Sequence, residues 1–272
     1  MSNENGKHKF KLIAADLDGT LLDDQYRVMP ELLETVNRAR ARGVELAVAT
    51  GRLYPSALPF VSDLEIVLPV IASNGAVVRK PGNGELICQW TMKRELAIEA
   101  LKLTENGTAQ RFVNVNDAFY TDAPEEASRR YQQALKIQFL RKVPLHEVIT
   151  EDPIMVVIRD SEEEVARLTG ILREHFGDRV YLANSKPFFI DINHPGVSKG
   201  SALMDLCRRL GIEAKDVIAI GDGWNDEEML KAAGIGAAVA NAPALLKEKA
   251  DYVCTHPTFK GVIEIIERFV LN

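Results

Sequence analysis

The apolar positions of this chain follow two rhythms. In the first third, short unbroken apolar runs alternate with stretches where apolar residues recur every three or four positions. "FKLIAA" (Phe10 to Ala15) and "VELAVAT" (Val44 to Thr50) are runs of the first kind, suited to strands buried on both faces. Between them, "PELLETVNRARARG" opens on Pro30, sets Leu32, Leu33, Val36 and Ala39 on one helical face, and stops at Gly43. A second helix is predicted from Pro55 to Leu64, and "LPVIASNG" (Leu68 to Gly75) reads as a third strand and turn. Strand, helix, strand, helix, strand is the pattern of a parallel sheet with helices packed on its faces.

From Gly75 the pattern changes. "GAVVRKPGNGELICQW" has the alternating runs and Pro-Gly-Asn-Gly turn of a hairpin. Helices are predicted around Lys93 to Asn106 and Pro124 to Lys136, with strands near Gln110 to Val115 and Pro153 to Asp160. Ser161 N-caps the next helix, and Glu164 completes a capping box. "RVYLANS" and "FFIDIN" read as two more strands, so this stretch is an α+β module on an antiparallel sheet. Near Val197 the first rhythm returns: "VSKGSALMDLCRRLG" is an amphipathic helix stopped by Gly211, and "DVIAIGDG", "WNDEEMLKAAG" and "IGAAVA" give strand, helix, strand. A helix from Gly261 to Val270 follows. The expected organisation is an α/β core split between residues 1–82 and 190–272, with an insert at 83–189. Its hinges are expected at Gly82-Asn83-Gly84 and Lys186-Pro187.

In open α/β sheets, ligands bind beyond the carboxyl ends of the strands. Polar groups cluster at four such places here: Asp16 and Asp18, Thr50, the Ser198-Lys199 helix start, and Asp222 with Asn225 and Asp226. Each alone also suits a turn or an N-cap. Together, several carboxylates at one sheet edge repel unless they share a cation or a proton. Oxygen ligands with no His or Cys nearby favour Mg²⁺, whose open coordination positions accept phosphate oxygens. Lys199 and the Thr50 hydroxyl then suit a phosphoryl group.

Composition narrows the partners. A net charge of −6 argues against a nucleic-acid surface but not against a small phosphorylated ligand. Cys88, Cys207 and Cys254 are too widely spaced for a disulfide frame or a zinc site and read as buried hydrophobes in a reducing compartment. The start "MSNENGKHKF" has neither signal-peptide nor anchor character, and no apolar run approaches the ~20 residues that span a bilayer. A cytoplasmic protein without membrane partners is expected, its oligomeric state open.

"DLDGTLL", "ATGR", "GVSKGSAL" and "GDGWNDEEML", in this order and spacing, resemble the four signature motifs of the haloacid dehalogenase (HAD) superfamily. The insert between the second and third resembles the α/β cap of the Cof-type subgroup (HAD-IIB), mostly phosphatases of sugar phosphates and related metabolites, and "SNGA" (Ser73 to Ala76) is similar to that subgroup too. One departure is Phe259-Lys260-Gly261, where relatives often carry an Asn-Asp-Gly turn. The resemblance implies a Rossmann-like core and an aspartyl-phosphate mechanism. Asp16 is then the nucleophile and Asp18 the general acid and base. Mg²⁺ is held by Asp16, the Asp18 carbonyl and Asp222. Thr50, Gly51, Lys199 and Asn225 bind the phosphoryl group, while Asp226 orients the metal or Lys199 from behind. Gly19 and Gly51 let backbone N–H groups approach the phosphate, and Arg52 serves either the substrate or a surface salt bridge.

An intact Asp18 favours hydrolysis over the long-lived intermediate of P-type pumps, and Asp222 speaks against a dehalogenase. Two rivals share these residues: a sugar phosphomutase, and a sugar-phosphate sensor, which would be marked by loss of Asp16 or Asp18. Specificity is assigned to the insert, where "FVNVNDAFYTD" suits either a sugar contact or a half-buried hairpin. The histidines (His8, His146, His175, His194, His256) are read as structural or solvated.

Overall fold

The computed structural model describes residues 10–116, 118–135 and 140–272. "LIAA" forms β1 (Leu12–Ala15), buried along its whole length. Pro30 opens α1 (Pro30–Arg40), which buries Leu32, Val36 and Ala39, before Gly43 turns the chain at positive φ into β2 (Glu45–Val48). Then come α2 (Tyr54–Asp63), β3 (Val70–Ala72), β4 (Val77–Arg79) and β5 (Leu86–Gln89). The middle of the chain runs through α3 (Arg94–Leu103), β6 (Gln110–Val115), β7 (Ala118–Thr121), α4 (Glu125–Leu135) and β8 (Leu140–Lys142). It continues with α5 (Leu145–Val148), β9 (Met155–Arg159), α6 (Glu162–Phe176), β10 (Tyr181–Ala183) and β11 (Phe189–Asn193). Next are α7 (Lys199–Leu210), β12 (Val217–Gly221), α8 (Glu227–Ala232) and β13 (Ile235–Ala238). The last elements are α9 (Ala244–Lys247), β14 (Tyr252–Val253) and α10 (Thr258–Ile266). Lys136, Asp117 and His8 lie outside the described residues.

The first and last parts of the chain share one parallel sheet, ordered β14-β13-β12-β1-β2. Its strands lack alternation because both faces are covered. Ile13, Ile218 and Ile220 pack into an apolar cluster with α1 and α10, whereas Leu12, Ala14, Val217 and Ala219 pack into another with α7 and α8. Cys254 and Cys207 are buried, one in each cluster. β3 departs from the expected third parallel strand. It meets the sheet by a single parallel bridge, Ala49 to Ile71, and otherwise pairs antiparallel with β4.

A second sheet, ordered β10-β11-β9-β6-β7-β8, is antiparallel except for the parallel pair β7 and β8. Paired strands flank or contain both expected boundaries of the insert. Residue 83 falls in the turn between β4 and β5, and the pair Val77 to Gln89 ties β5 to the three-stranded sheet before it. Residue 190 falls inside β11, whose Phe189 pairs with Arg159 of β9.

Two caps also differ from expectation. Ser161 accepts the Glu164 N–H, but the Glu164 carboxylate turns to Arg167, and Asp160 takes the Ser161 N–H instead. The final helix starts at Thr258. Gly261 lies inside it, where a Cβ would sit 2.7 Å from the His256 carbonyl oxygen. Among the described residues, no helix is long and apolar enough to cross a membrane.

Candidate active site

β1 and β12 are parallel neighbours with Ala15 opposite Ile220, so the residues that follow them, Asp16 and Asp222, leave the sheet at one edge. Lys199 opens α7 beneath that edge, completely buried. Its ammonium lies 3.0 Å from Asp16 Oδ1 and 2.6 Å from Asp226 Oδ1. Asp226 Oδ2 accepts the backbone N–H groups of Asp222 (3.0 Å) and Gly223 (2.9 Å). Both Asp226 oxygens are thus engaged, one holding Lys199 and the other the loop that carries Asp222. Thr20 donates its hydroxyl to Asp222 Oδ1 at 3.0 Å.

Gly19 makes room for a carboxylate. At φ +86°, a Cβ there would sit 2.3 Å from an Asp222 carboxylate oxygen, so glycine is what lets that carboxylate come in. Gly51 lines the cavity, and its missing Cβ leaves room for Asn74 Oδ1. Thr50 is fully buried, its hydroxyl oxygen accepting the Arg52 N–H at 3.1 Å.

The charges shift one another strongly. Burial lifts the Asp16 carboxyl to about 6; Lys199 opposes that rise while Asp226 and Asp18 add to it. Burial likewise raises Asp222 above the ordinary carboxylate range, against Lys186. For Lys199 burial works against the charge, but Asp16 and Asp226 outweigh it and keep the ammonium protonated beyond its usual range.

Two cations hold positions that the sequence did not assign. Arg52 is not a surface residue; it lines the cavity. It is buried and grips Asp18 with two hydrogen bonds of 2.6 Å, its guanidinium stacked 4.8 Å from the centre of the Phe60 ring. Lys186, expected only as a hinge residue, donates to the Asp18 carbonyl oxygen at 3.1 Å and to Asp222 Oδ2 at 3.0 Å.

The "SNGA" turn is also part of the site. Ser73 and Asn74 both take positive φ, and Asn74 bridges two side chains. It accepts from Asn225 Nδ2 at 2.9 Å and donates to Asp191 Oδ2 at 3.0 Å. Asn225 Oδ1 stays buried without a hydrogen-bond partner at the cavity wall.

Asp16, Asp18, Gly51 and Asn225 line one end of a cavity of about 280 Å³, while the second sheet roofs the other. No described histidine lines it. Asp16, Asp222 and Asp226 bring ligand oxygens within 4.8 Å of one another, and the Asp18 carbonyl is reached by the same ammonium as Asp222. An all-oxygen donor set of this kind, already attracting a cation, fits a divalent ion.

The family model of haloacid dehalogenase-like hydrolases matches residues 13–266. The chain is similar to a phosphoglycolate phosphatase of Methanobrevibacter smithii, at 30% identity over 95% of this chain and 98% of that one. It is also similar to an HMP-PP phosphatase of Serratia proteamaculans, at 31% identity over 88% and 86%. Among solved structures, a haloacid dehalogenase-like hydrolase from B. subtilis superposes with a TM-score of 0.83 at 27% identity, covering 95% of this chain and 99% of that one. The chain belongs to the haloacid dehalogenase-like hydrolases, in their Cof-type branch.

Proposed function

We propose that this chain is a Mg²⁺-dependent phosphatase of small phosphorylated metabolites, converting a phosphomonoester and water into an alcohol and inorganic phosphate. The observation that carries the reading is Lys199, an ammonium sealed between Asp16 and Asp226 beneath the polar end of the cavity. A buried lysine with two carboxylates fixes Asp16 in place and puts a positive charge where a phosphoryl group would meet it.

Asp16 attacks phosphorus, forming an aspartyl-phosphate as the bond to the leaving oxygen breaks. Asp18 protonates that oxygen, then takes a proton from the water that attacks the intermediate, which frees phosphate and restores Asp16. Arg52 fixes the direction in which Asp18 faces. Asn225 and the Gly51 backbone meet the phosphoryl oxygens, Thr50 supports that loop, and Asp226 orients Lys199 and Asp222. Asp16, Asp222 and the Asp18 carbonyl would hold Mg²⁺, which would supply positive charge to offset that of the phosphoryl group. The six-stranded unit acts as a cap that excludes bulk water and contacts the leaving group. Sugar phosphates are the group implied by the resemblance, and the cavity walls decide among such esters.

Asp16→Asn is expected to lower phosphate release from acetyl phosphate by at least 10³-fold, with the circular dichroism spectrum unchanged. EDTA should stop wild-type turnover until Mg²⁺ is restored. Activity within tenfold of wild type in the variant excludes Asp16 as nucleophile. A mutase would isomerise a sugar phosphate without releasing phosphate.

A further inference from the structure

The six-stranded sheet turns unlike faces to unlike neighbours, because successive residues of a strand point to opposite sides. On β9, Val156 and Ile158 pack in one apolar cluster with residues of α3 and α6. Met155 and Val157 face the other way, and with Phe112, Phe119 and Phe189 they close onto Leu53 at the start of α2. That second face is the roof of the cavity: Leu53, Phe119, Met155, Val157, Phe188 and Phe189 line it.

The polar lining lies mostly at the opposite end and is largely occupied. Asp18 is gripped by Arg52, Lys186 by Asp222, and Asp191 by Asn74. Phe188 is a large aromatic side chain left 38% exposed, its ring centre 4.9 Å from that of Phe189. A roof of this composition offers ring faces and edges, and almost nothing that exchanges hydrogen bonds.

We propose that the cavity selects phosphomonoesters whose alcohol is a flat, mostly apolar ring, an aryl- or heteroarylmethanol, over those of polyol sugars. This rests on the phosphatase reading above. A sugar brought under the roof gives up water at each hydroxyl and finds few partners there, a loss that selects strongly against it. A flat ring gives up little and packs edge-to-face or offset against the phenylalanines. The volume of about 280 Å³ holds a phosphoryl group and one ring, and lies just under the usual range of small-molecule sites, ~300 Å³ and above. Tyr26, Ser56 and Ser185 also line the cavity and can serve a polar substituent on the ring.

The test is phosphate release by the full chain with Mg²⁺, from benzyl phosphate, glucose 6-phosphate and acetyl phosphate. The expected result is a kcat/KM for benzyl phosphate at least roughly tenfold above that for glucose 6-phosphate. Phe188→Ser and Val157→Thr should each lower that ratio by roughly threefold or more, mainly through a higher KM for benzyl phosphate. Phe188 stands at the rim, so its variant carries the test if Val157→Thr fails to fold. Glucose 6-phosphate turned over as well as benzyl phosphate, or a ratio unmoved in a folded variant, overturns the selection and leaves the phosphatase reading standing. Turnover of acetyl phosphate alone does the same. Silence on both esters and on acetyl phosphate, an acyl phosphate, removes the phosphatase reading and the selection with it.

Discussion

An ammonium group 3.0 Å from Asp222 Oδ2 and 3.1 Å from the Asp18 carbonyl oxygen competes for the oxygens that a divalent ion would use. An ammonium and a divalent ion ~4 Å apart repel by about 8 kcal/mol at an effective dielectric of ~20, so both cannot stay there unscreened. Lys186→Met is therefore expected to tighten Mg²⁺ binding about tenfold, measured by isothermal titration calorimetry. Unchanged affinity would mean that ion and ammonium occupy separate places. Lys186 was illegible in the sequence because it sits in a Ser-Lys-Pro connection with no periodicity, and its partners lie 36 and 168 residues away. Arg52 stood inside a recognisable motif, yet its grip on Asp18 depends on a contact across 34 residues. Asp16 and Asp222 were legible for the opposite reason: each directly follows an apolar run, and a parallel sheet sends such residues to one edge.

At the scale of elements, two packing devices hold the helices around that edge. Glu264 of α10 accepts from Tyr252 Oη (2.8 Å), Thr255 Oγ1 (2.7 Å) and the Thr255 N–H (3.0 Å), joining α10 to β14 and the loop after it. Burial opposes the charge, but hydrogen bonds from Thr255, His256 and Tyr252 prevail and bring its pKa from 4.5 down to about 2. The unfolded chain takes up this proton first as pH falls. The stabilisation is complete above 4.5 and disappears as pH falls toward 2. Glu264→Gln should cost about 1–2 kcal/mol at neutral pH, since water screens the site. In urea titrations that deficit should close as the solution is acidified. Gly200 supplies the second device: a Cβ there would sit 2.6 Å from the Glu228 carbonyl, where α7 crosses α8. Gly200→Ala should lose about 1–3 kcal/mol in the same titrations. The main helices and strands could be read from apolar spacing, whereas α9 and β14, four and two residues long, are too short to show a period.

For the whole molecule, the split into a parallel core and an inserted α+β unit could be read from the change of rhythm along the chain. Turn residues mark where a chain bends, whereas hydrogen bonds decide which sheet a strand joins, so β5 pairs with β4 and β11 with β9. A ligand that binds only the folded form raises its melting temperature. Millimolar Mg²⁺ is expected to shift the wild-type melt upward by several degrees and to leave Asp222→Ala unmoved. An equal shift in both would place the ion elsewhere. The sheet order carries one more consequence. β1 lies between β2 and β12, and Ala15 meets Ile220 from across the entire insert. A ribosome therefore releases β1 long before its second neighbour exists, leaving one flank of the nascent sheet uncovered. The six-stranded unit, whose pairings all lie between residues 110 and 193, can assemble during that wait. The edge that carries Asp16 and Asp222 then comes together as one of the last events of biosynthesis.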